Sequence, residues 1–462
     1  MSPTALQSSY RAPAAPSAAS DQSENNPLRH VAFKIALGLI FLRFGMFHFL
    51  LLKLTHVNFH LIPLLGLPVM LGVALSGGLR RTFRGHPALY WSLYALWLMA
   101  AVPFSTWRGG SLTTVVGFTL VEYPMMFILG GLASNWRECR SVLHAIAWGA
   151  VVSVLAGFLM RGGREGARMA LELGTMANAN DYAAHLLLVL PFVLWVGLRS
   201  RWLRVPALGV FALGCYMILM TASRGAGIAL LACLLFLLVR APGRWRAAVI
   251  ITVPVALLLL LTVVPSSVWT RLRALRMDTA GATEAVESMM LRQRTLQRGV
   301  AETLRHPFLG VGPAQFQNVA GQAEKLWLVP HNTYVEISSE CGIPALIAYL
   351  AGIVSTFLLF HSTYNQCRRR DDCNDIRNAA LCVMLGMVGY CVASTFLSLA
   401  YTFYMPALGG FAVALALAAR REIGERETLS AASGATAGGR PWAAAKPAAV
   451  FSIGPVAPRK QR

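Results

Sequence analysis

The sequence predicts an all-α, polytopic membrane protein with about twelve transmembrane helices and one large helical loop on the side away from the cytoplasm. Three observations carry that expectation. The 462 residues are 56% hydrophobic and only 13% charged, with mean hydropathy +0.55, well outside the range of a soluble domain. The apolar residues gather in runs of about 20, the length a helix needs to cross hydrocarbon. Arginines then recur in every second connection between those runs, the pattern that marks cytoplasmic loops.

Residues 1–28 are polar and rich in Ser, Ala and Pro, without the apolar core of a signal peptide. They read as a disordered cytoplasmic terminus, so the first span itself directs insertion. Nine spans follow within 29–265, near 31–52, 60–77, 87–105, 112–133, 141–160, 179–198, 204–222, 225–240 and 246–265. The second is short and carries Pro63 and Pro68, which predict a kink. Three more occupy 343–420, near 343–364, 377–397 and 402–419. The basic connections hold Arg80, Arg81 and Arg84; Arg137 and Arg140; Arg199, Arg201 and Arg204; Arg240, Arg244 and Arg246; Arg368 to Arg370 with Arg377; and Arg420, Arg421 and Arg426. Both termini fall on that cytoplasmic side. Residues 421–462 form an Ala/Gly/Pro-rich tail, expected to be disordered from about 428.

The net charge of +21 would suggest nucleic acid in a soluble protein. Here the arginines lie mainly in short loops that topology explains, and nucleic acid is excluded as a partner. The eight cysteines fall mostly in apolar runs or cytoplasmic loops and form no CxxC pair or disulfide framework. No HxxEH, DxD, Walker or clustered Cys/His pattern occurs, so no metal, nucleotide or other cofactor is expected.

Two outer connections break the charge rule. One, after the fifth span, carries Arg161, Arg164 and Arg168. The other, 266–329, opens an outer loop that extends to 342 and carries seven arginines, Arg292 and Arg294 among them. Basic residues on that side oppose the topology signal, and an anionic ligand is one reason to keep them there. Within the loop, 283–305 has the period of an amphipathic helix, with Arg294, Arg298 and Arg305 on one stripe and Arg292 on the other face. The turn HPFLGVGP at 306–313 ends it, and 315–327 reads as a second short helix.

Residues 330–342, PHNTYVEISSECG, are a polar cluster at a membrane edge. His331 titrates near neutrality when unperturbed and could transfer a proton there; a surface histidine capping the next helix is the other reading. Asn332 offers amide hydrogen bonds beside it. Glu336 and Glu340 are too far along to share a helical face with it. Arg224, in TASRGAG, stands at the outer boundary of two spans, either as a ligand-binding group or as a snorkelling arginine. In GTMANAND at 174–181, Asn178 or Asn180 could cap the sixth span, whose N-terminal end favours an anion. His48, His144 and His185 lie in spans and read as packing groups. Arginines without a metal suit a substrate that brings its own leaving group, and a lipid diphosphate does so.

The run Arg292…His306-Pro307-Phe308-Leu309-Gly310-Val311-Gly312…Phe316…His331-Asn332-Thr333-Tyr334…Glu340-Cys341-Gly342 resembles the signature of the O-antigen ligase and polymerase superfamily. Ser223-Arg224-Gly225 and the Asn180 region match its earlier landmarks, so the resemblance covers roughly 174–411. The family's aromatic residue after the loop arginine is here Leu296. The resemblance implies a multi-pass enzyme of the bacterial inner membrane with a periplasmic active site. It implies metal-independent, inverting transfer of a glycan from undecaprenyl diphosphate to a sugar hydroxyl of the lipid A–core oligosaccharide, completing lipopolysaccharide. His331, Arg224 and Arg292 correspond to the catalytic residues, with Arg161, Arg164, Arg168, Asn180, Arg294 and Asn332 around the donor. A polymerase, or a protein O-oligosaccharyltransferase with a Ser or Thr acceptor, would share the donor chemistry. A lipid-linked-sugar transporter would need basic residues distributed within the spans.

Overall fold

The computed structural model describes residues 26–160, 178–243 and 280–437 apart from 325, 326 and 369, with scattered positions at 164–174 and 245–251. The chain is helical almost throughout. In order come α1 (Pro27–Phe44), α2 (Phe47–Thr55), α3 (Leu61–Leu75), α4 (Gly78–Thr82), α5 (His86–Ala101), α6 (Arg108–Gly117), α7 (Pro124–Leu132) and α8 (Trp136–Leu159). A two-residue antiparallel pair, β1 (Arg164–Glu165) with β2 (Arg168–Met169), precedes α9 (Ala179–Arg199), α10 (Arg204–Met220) and α11 (Arg224–Arg240). The long outer loop contains α12 (Ala280–Arg305) and α13 (Phe316–Glu324). Last come α14 (Thr333–Arg368), α15 (Asn374–Ala393) and α16 (Tyr404–Ala437).

Six helices among the described residues are long and apolar enough to cross a membrane. A seventh span arises if α1 and α2, bent by 68° at Gly45 and Met46, count as one. The apolar helices α3 and α10 are shorter, and most of the run 246–265 lies outside the described residues. The protein is therefore a multi-pass helical membrane protein in which, among the described residues, six of the twelve anticipated spans meet the length and composition criterion, or seven with the bent pair. The second span does carry Pro68 inside its helix. α9 and α15 are buried on most faces and form the centre, with α8, α10, α11 and α14 packed around them, while α16 packs on α7 and α14.

Several arginines read from the sequence as topology markers are structural. Arg29 of α1 pairs with Glu138 at 2.8 Å and donates to Leu132 O at 2.6 Å. Arg81 donates to Gly131 O, and Arg421 to Ser134 O at 3.2 Å. These guanidinium groups satisfy carbonyls at and just beyond the C-terminal end of α7, where the helix dipole is negative. The tail expectation needs a correction: α16 continues to Ala437, past residue 428 where disorder was expected to begin. Its extension beyond the apolar run is pinned by Arg370–Glu427 at 2.6 Å and by the one-turn pair Arg426–Glu422. Residues 1–25 and 438–462 lie outside the described residues.

The outer end is set by a break in α14. Gly342 adopts φ +84°, so the polar stretch 333–341 forms its own short helix ahead of the apolar span. The carbonyls and N–H freed at such a break must find partners at membrane depth. The HPFLGVGP turn supplies them: Val311 N donates to Ser339 O at 2.9 Å, Gly312 N to Glu340 O at 2.8 Å, and Ile343 N to Pro307 O at 2.7 Å. The turn is bound in its turn to α5 and α6. Trp97 Nε1 donates to Cys341 O at 2.9 Å, Thr106 N to Val311 O at 3.0 Å, and Ser111 Oγ to Pro313 O at 2.8 Å.

Gly342→Ala would place a Cβ 2.0 Å from the Phe308 carbonyl oxygen at a positive φ. It should cost about 2 kcal/mol or more and lower the thermal unfolding midpoint of the detergent-purified protein by several degrees. Gly38→Ala, whose Cβ meets nothing within 4 Å, should leave that midpoint unchanged.

Candidate active site

A cavity of about 700 Å³ lies between the N-terminal ends of α9, α11 and α14 and the loop helix α12. Asn180, Arg224, Arg292, Leu296, His331 and Asn332 all line it. The volume suits a drug-sized or larger ligand fragment. The rest of the wall is mostly apolar, from Ile228, Met289, Phe396 and Leu397.

Each polar group is held by a local rule. Three helices begin at the cavity. Asn178 caps α9, its Oδ1 accepting from Asn180 N at 2.9 Å and Asp181 N at 3.1 Å. Ser223 caps α11 through Ala226 N at 3.3 Å, leaving Arg224 as its first residue. Asn332 Oδ1 accepts from Tyr334 N at 3.0 Å and Val335 N at 3.1 Å at the start of α14. The cap of α14 is therefore Asn332, not His331. Three positive helix ends converge on one space, a ready field for an anion. On α12, Met289, Arg292, Gln293 and Leu296 line the cavity at the spacing of one helical face. The other arginines of that helix point elsewhere: Arg298 and Arg305 pair with Glu302 at 2.7 and 3.1 Å, and Arg294 is exposed without lining the cavity. The anticipated split between Arg292 and the stripe of 294, 298 and 305 is present. Arg164 and Arg168 lie in β1 and β2, and Arg161 lies outside the described residues.

His331 has a left-handed backbone, φ +51°, unusual for a side chain of its size. That conformation costs about 1–2 kcal/mol, and fixed partners sustain it. Its N–H donates to Ser398 Oγ at 3.2 Å. Burial pushes the imidazole down to about 4, and the Arg292 charge adds to the depression. The ring is neutral at physiological pH, able to accept a proton. Glu336 and Glu340 turn away from the cavity, as their spacing foretold, and bind backbone: Glu336 accepts from Ala400 N at 3.1 Å, Glu340 from Ala314 N at 2.9 Å and Phe316 N at 3.2 Å.

Thr395, Phe396 and Leu397, between α15 and α16, line the cavity and went unnoticed in the sequence. The sequence reading put these three residues at the end of the span 377–397, where nothing marks them as lining a site. The span histidines are packing groups: His185 sits between Tyr404 OH at 2.8 Å and Ser153 Oγ at 3.1 Å. Arg43, a charge within the first apolar run, pairs with Glu122 and lies 4.3 Å over the Phe403 ring.

Residues 208–350 match the protein family described as O-antigen ligase, within the O-antigen ligase/polymerase superfamily. The match takes in Arg224, Arg292, His331 and Asn332, whereas Asn180 and 395–398 fall outside it. No curated protein matches the chain.

His331 should titrate near pH 4 in the ligand-free protein. Protonation occurs as pH falls through that value, so the base is lost only in acid. Removing a neighbouring positive charge raises the pKa, so Arg292→Ala should move the midpoint toward 6.5, and inorganic pyrophosphate should do the same by screening Arg292. Site-resolved acylation of the neutral ring by diethyl pyrocarbonate against pH, read by peptide mass spectrometry, measures this. A midpoint indifferent to both changes would remove Arg292 from the ring's surroundings.

Proposed function

We propose that this chain, whose residues 208–350 match the O-antigen ligase family, is an O-antigen ligase. The superfamily's enzymes are glycosyltransferase-like and act on lipid-linked glycans. The finer reading is transfer of a glycan from undecaprenyl diphosphate to a sugar hydroxyl of the lipid A–core oligosaccharide. One observation carries it: a neutral imidazole and two guanidinium groups line a single cavity that is otherwise largely apolar and faced by three helix N-termini. An amphiphilic dianion fits that combination better than a soluble anion would.

The acceptor hydroxyl gives its proton to the His331 ring as its oxygen attacks the anomeric carbon. The bond from that carbon to the diphosphate oxygen breaks, and its electron pair leaves with undecaprenyl diphosphate. Arg224 and Arg292 stabilise the charge that builds on that oxygen, and Asn180 and Asn332 offer further donors. Attack opposite the leaving group inverts the anomeric centre. The cationic charge comes from arginine, so the reaction needs no metal. Orientation follows from the same helices. α9, α11 and α14 start at the cavity, while their far ends carry Arg199, Arg240 and Arg368 of the basic loops. The positive-inside rule then puts the cavity on the periplasmic side of the inner membrane.

His331→Ala should lower kcat by about 10²–10⁴-fold without loss of thermal stability. Arg224→Ala and Arg292→Lys should lower it too, since lysine cannot reproduce the bidentate fork. The test incubates purified protein with labelled undecaprenyl diphosphate-linked glycan and one acceptor at a time. Product on lipid A–core supports the ligase. Product only on a second lipid-linked glycan, or only on a Ser or Thr peptide, would reassign the acceptor, and normal turnover by His331→Ala would remove the base.

A further inference from the structure

The connection from Thr395 to Tyr404 is anchored at almost every residue, and from two directions. Toward the His331 side, Ser398 Oγ accepts from His331 N at 3.2 Å. Thr333 Oγ1 donates to Leu397 O at 2.8 Å and accepts from Leu399 N at 3.0 Å. Ala400 N donates to Glu336 at 3.1 Å, and Tyr401 OH to Glu340 at 2.5 Å. Toward the Arg224 side, the Phe396 ring lies against Gly225, where a Cβ would sit 2.8 Å from it. Behind, Thr402 Oγ1 meets Tyr390 OH at 3.0 Å, Arg43 covers Phe403, and Tyr404 OH meets His185 at 2.8 Å.

This strap therefore touches both halves of the cavity within three residues. Phe396 rests on the first turn of α11, which presents Arg224, and Ser398 holds the backbone of His331. A left-handed histidine would relax to φ below zero if nothing opposed it. The Ser398 hydroxyl meets that residue's own N–H, so it acts on the one dihedral in question. We propose that Ser398 is a positioning residue: it holds the His331 backbone in its left-handed conformation, while Phe396 on the same strap sets the spacing between the imidazole and the Arg224 end of α11. The proposal rests on the reading of His331 as the proton acceptor. Ser398 itself touches no reacting atom.

The experiment compares wild type, Ser398→Ala, Ser398→Thr and His331→Ala, purified in full length and placed in lipid nanodiscs. Glycan transfer gives kcat and KM for the lipid-linked donor. Acylation by diethyl pyrocarbonate gives the titration midpoint of His331, independently of turnover, and thermal unfolding gives the fold. Ser398→Ala should lose about tenfold to a hundredfold in kcat, with donor KM within about twofold of wild type because the arginines are untouched. Its His331 midpoint should move, since the ring leaves its buried position beside Arg292. Ser398→Thr keeps the hydroxyl and should restore both. Unchanged kcat and midpoint in Ser398→Ala would overturn the proposal. So would equal loss in both Ser398 variants accompanied by a lowered unfolding temperature, which marks a role in stability alone. If wild type transfers no glycan yet Ser398→Ala still shifts the His331 midpoint and Ser398→Thr restores it, the positioning role stands and the transferase reading falls.

Discussion

The carboxylate of Glu340 joins three segments that are distant in sequence. It accepts from the N–H groups of Ala314 and Phe316 in the loop and from the Tyr401 hydroxyl between the last two spans, while its own helix begins two residues after His331. A buried carboxylate is costly unless its lone pairs are met. Here they are met by groups that exist only when the loop, the broken helix and the outer strap are in register. The same carboxylate thus enforces the arrangement that stabilises it, and the cavity is the space that arrangement leaves. Gly342 is what permits it: the break turns 333–341 away from the apolar span, and the HPFLGVGP turn closes the backbone bonds the break opens.

The charges of the cavity act on one another in a definite order. Burial and, second, the Arg292 charge both push His331 toward its neutral form, so the ring by itself is a weak base. A diphosphate beside Arg292 would offset the second of those causes and strengthen the base only once the donor is present. Helix N-termini contribute in the same sense, favouring the anion without adding a titratable group. The apolar lining from Ile228, Met289 and Phe396 keeps water from screening these effects.

Most of the fold was legible because lipid permits so few solutions. Apolar runs had to be helices, and the arginine alternation ordered them. His331, Arg224 and Arg292 were legible as polar groups that topology did not explain, and the helical period separated Arg292 from Arg298 and Arg305 before any coordinates. Other features rest on contacts between segments far apart in the chain. Ser398 is one hydroxyl in a neutral connection until His331 N is found against it. Phe396 reads as the apolar end of a span until Gly225 is found beneath it. Arg81 and Arg421 obey the positive-inside rule and also cap carbonyls near the end of α7, and composition sees only the first of these. The run of α16 to Ala437 was hidden by low-complexity composition beyond 428, although Glu422, Arg426 and Glu427 form the ion pairs that hold it.

A displacement at an anomeric carbon is sensitive to alignment more than to affinity, since misplacement of about 1 Å costs on the order of a hundredfold in rate. Under the proposed transfer, that sensitivity gives a reason for the many polar side chains placed behind the cavity instead of in it. Thr333, Glu336, Glu340 and Tyr401 are all ordered by hydrogen bonds inside the protein, where each unmet polar group would be penalised. Apolar residues of similar volume would pack there at less risk to stability. They would not, however, specify register, because van der Waals contacts tolerate sliding that a hydrogen-bonded strap does not. The polar strap is therefore best understood through the geometry it imposes on His331 and Arg224, with its contribution to stability secondary.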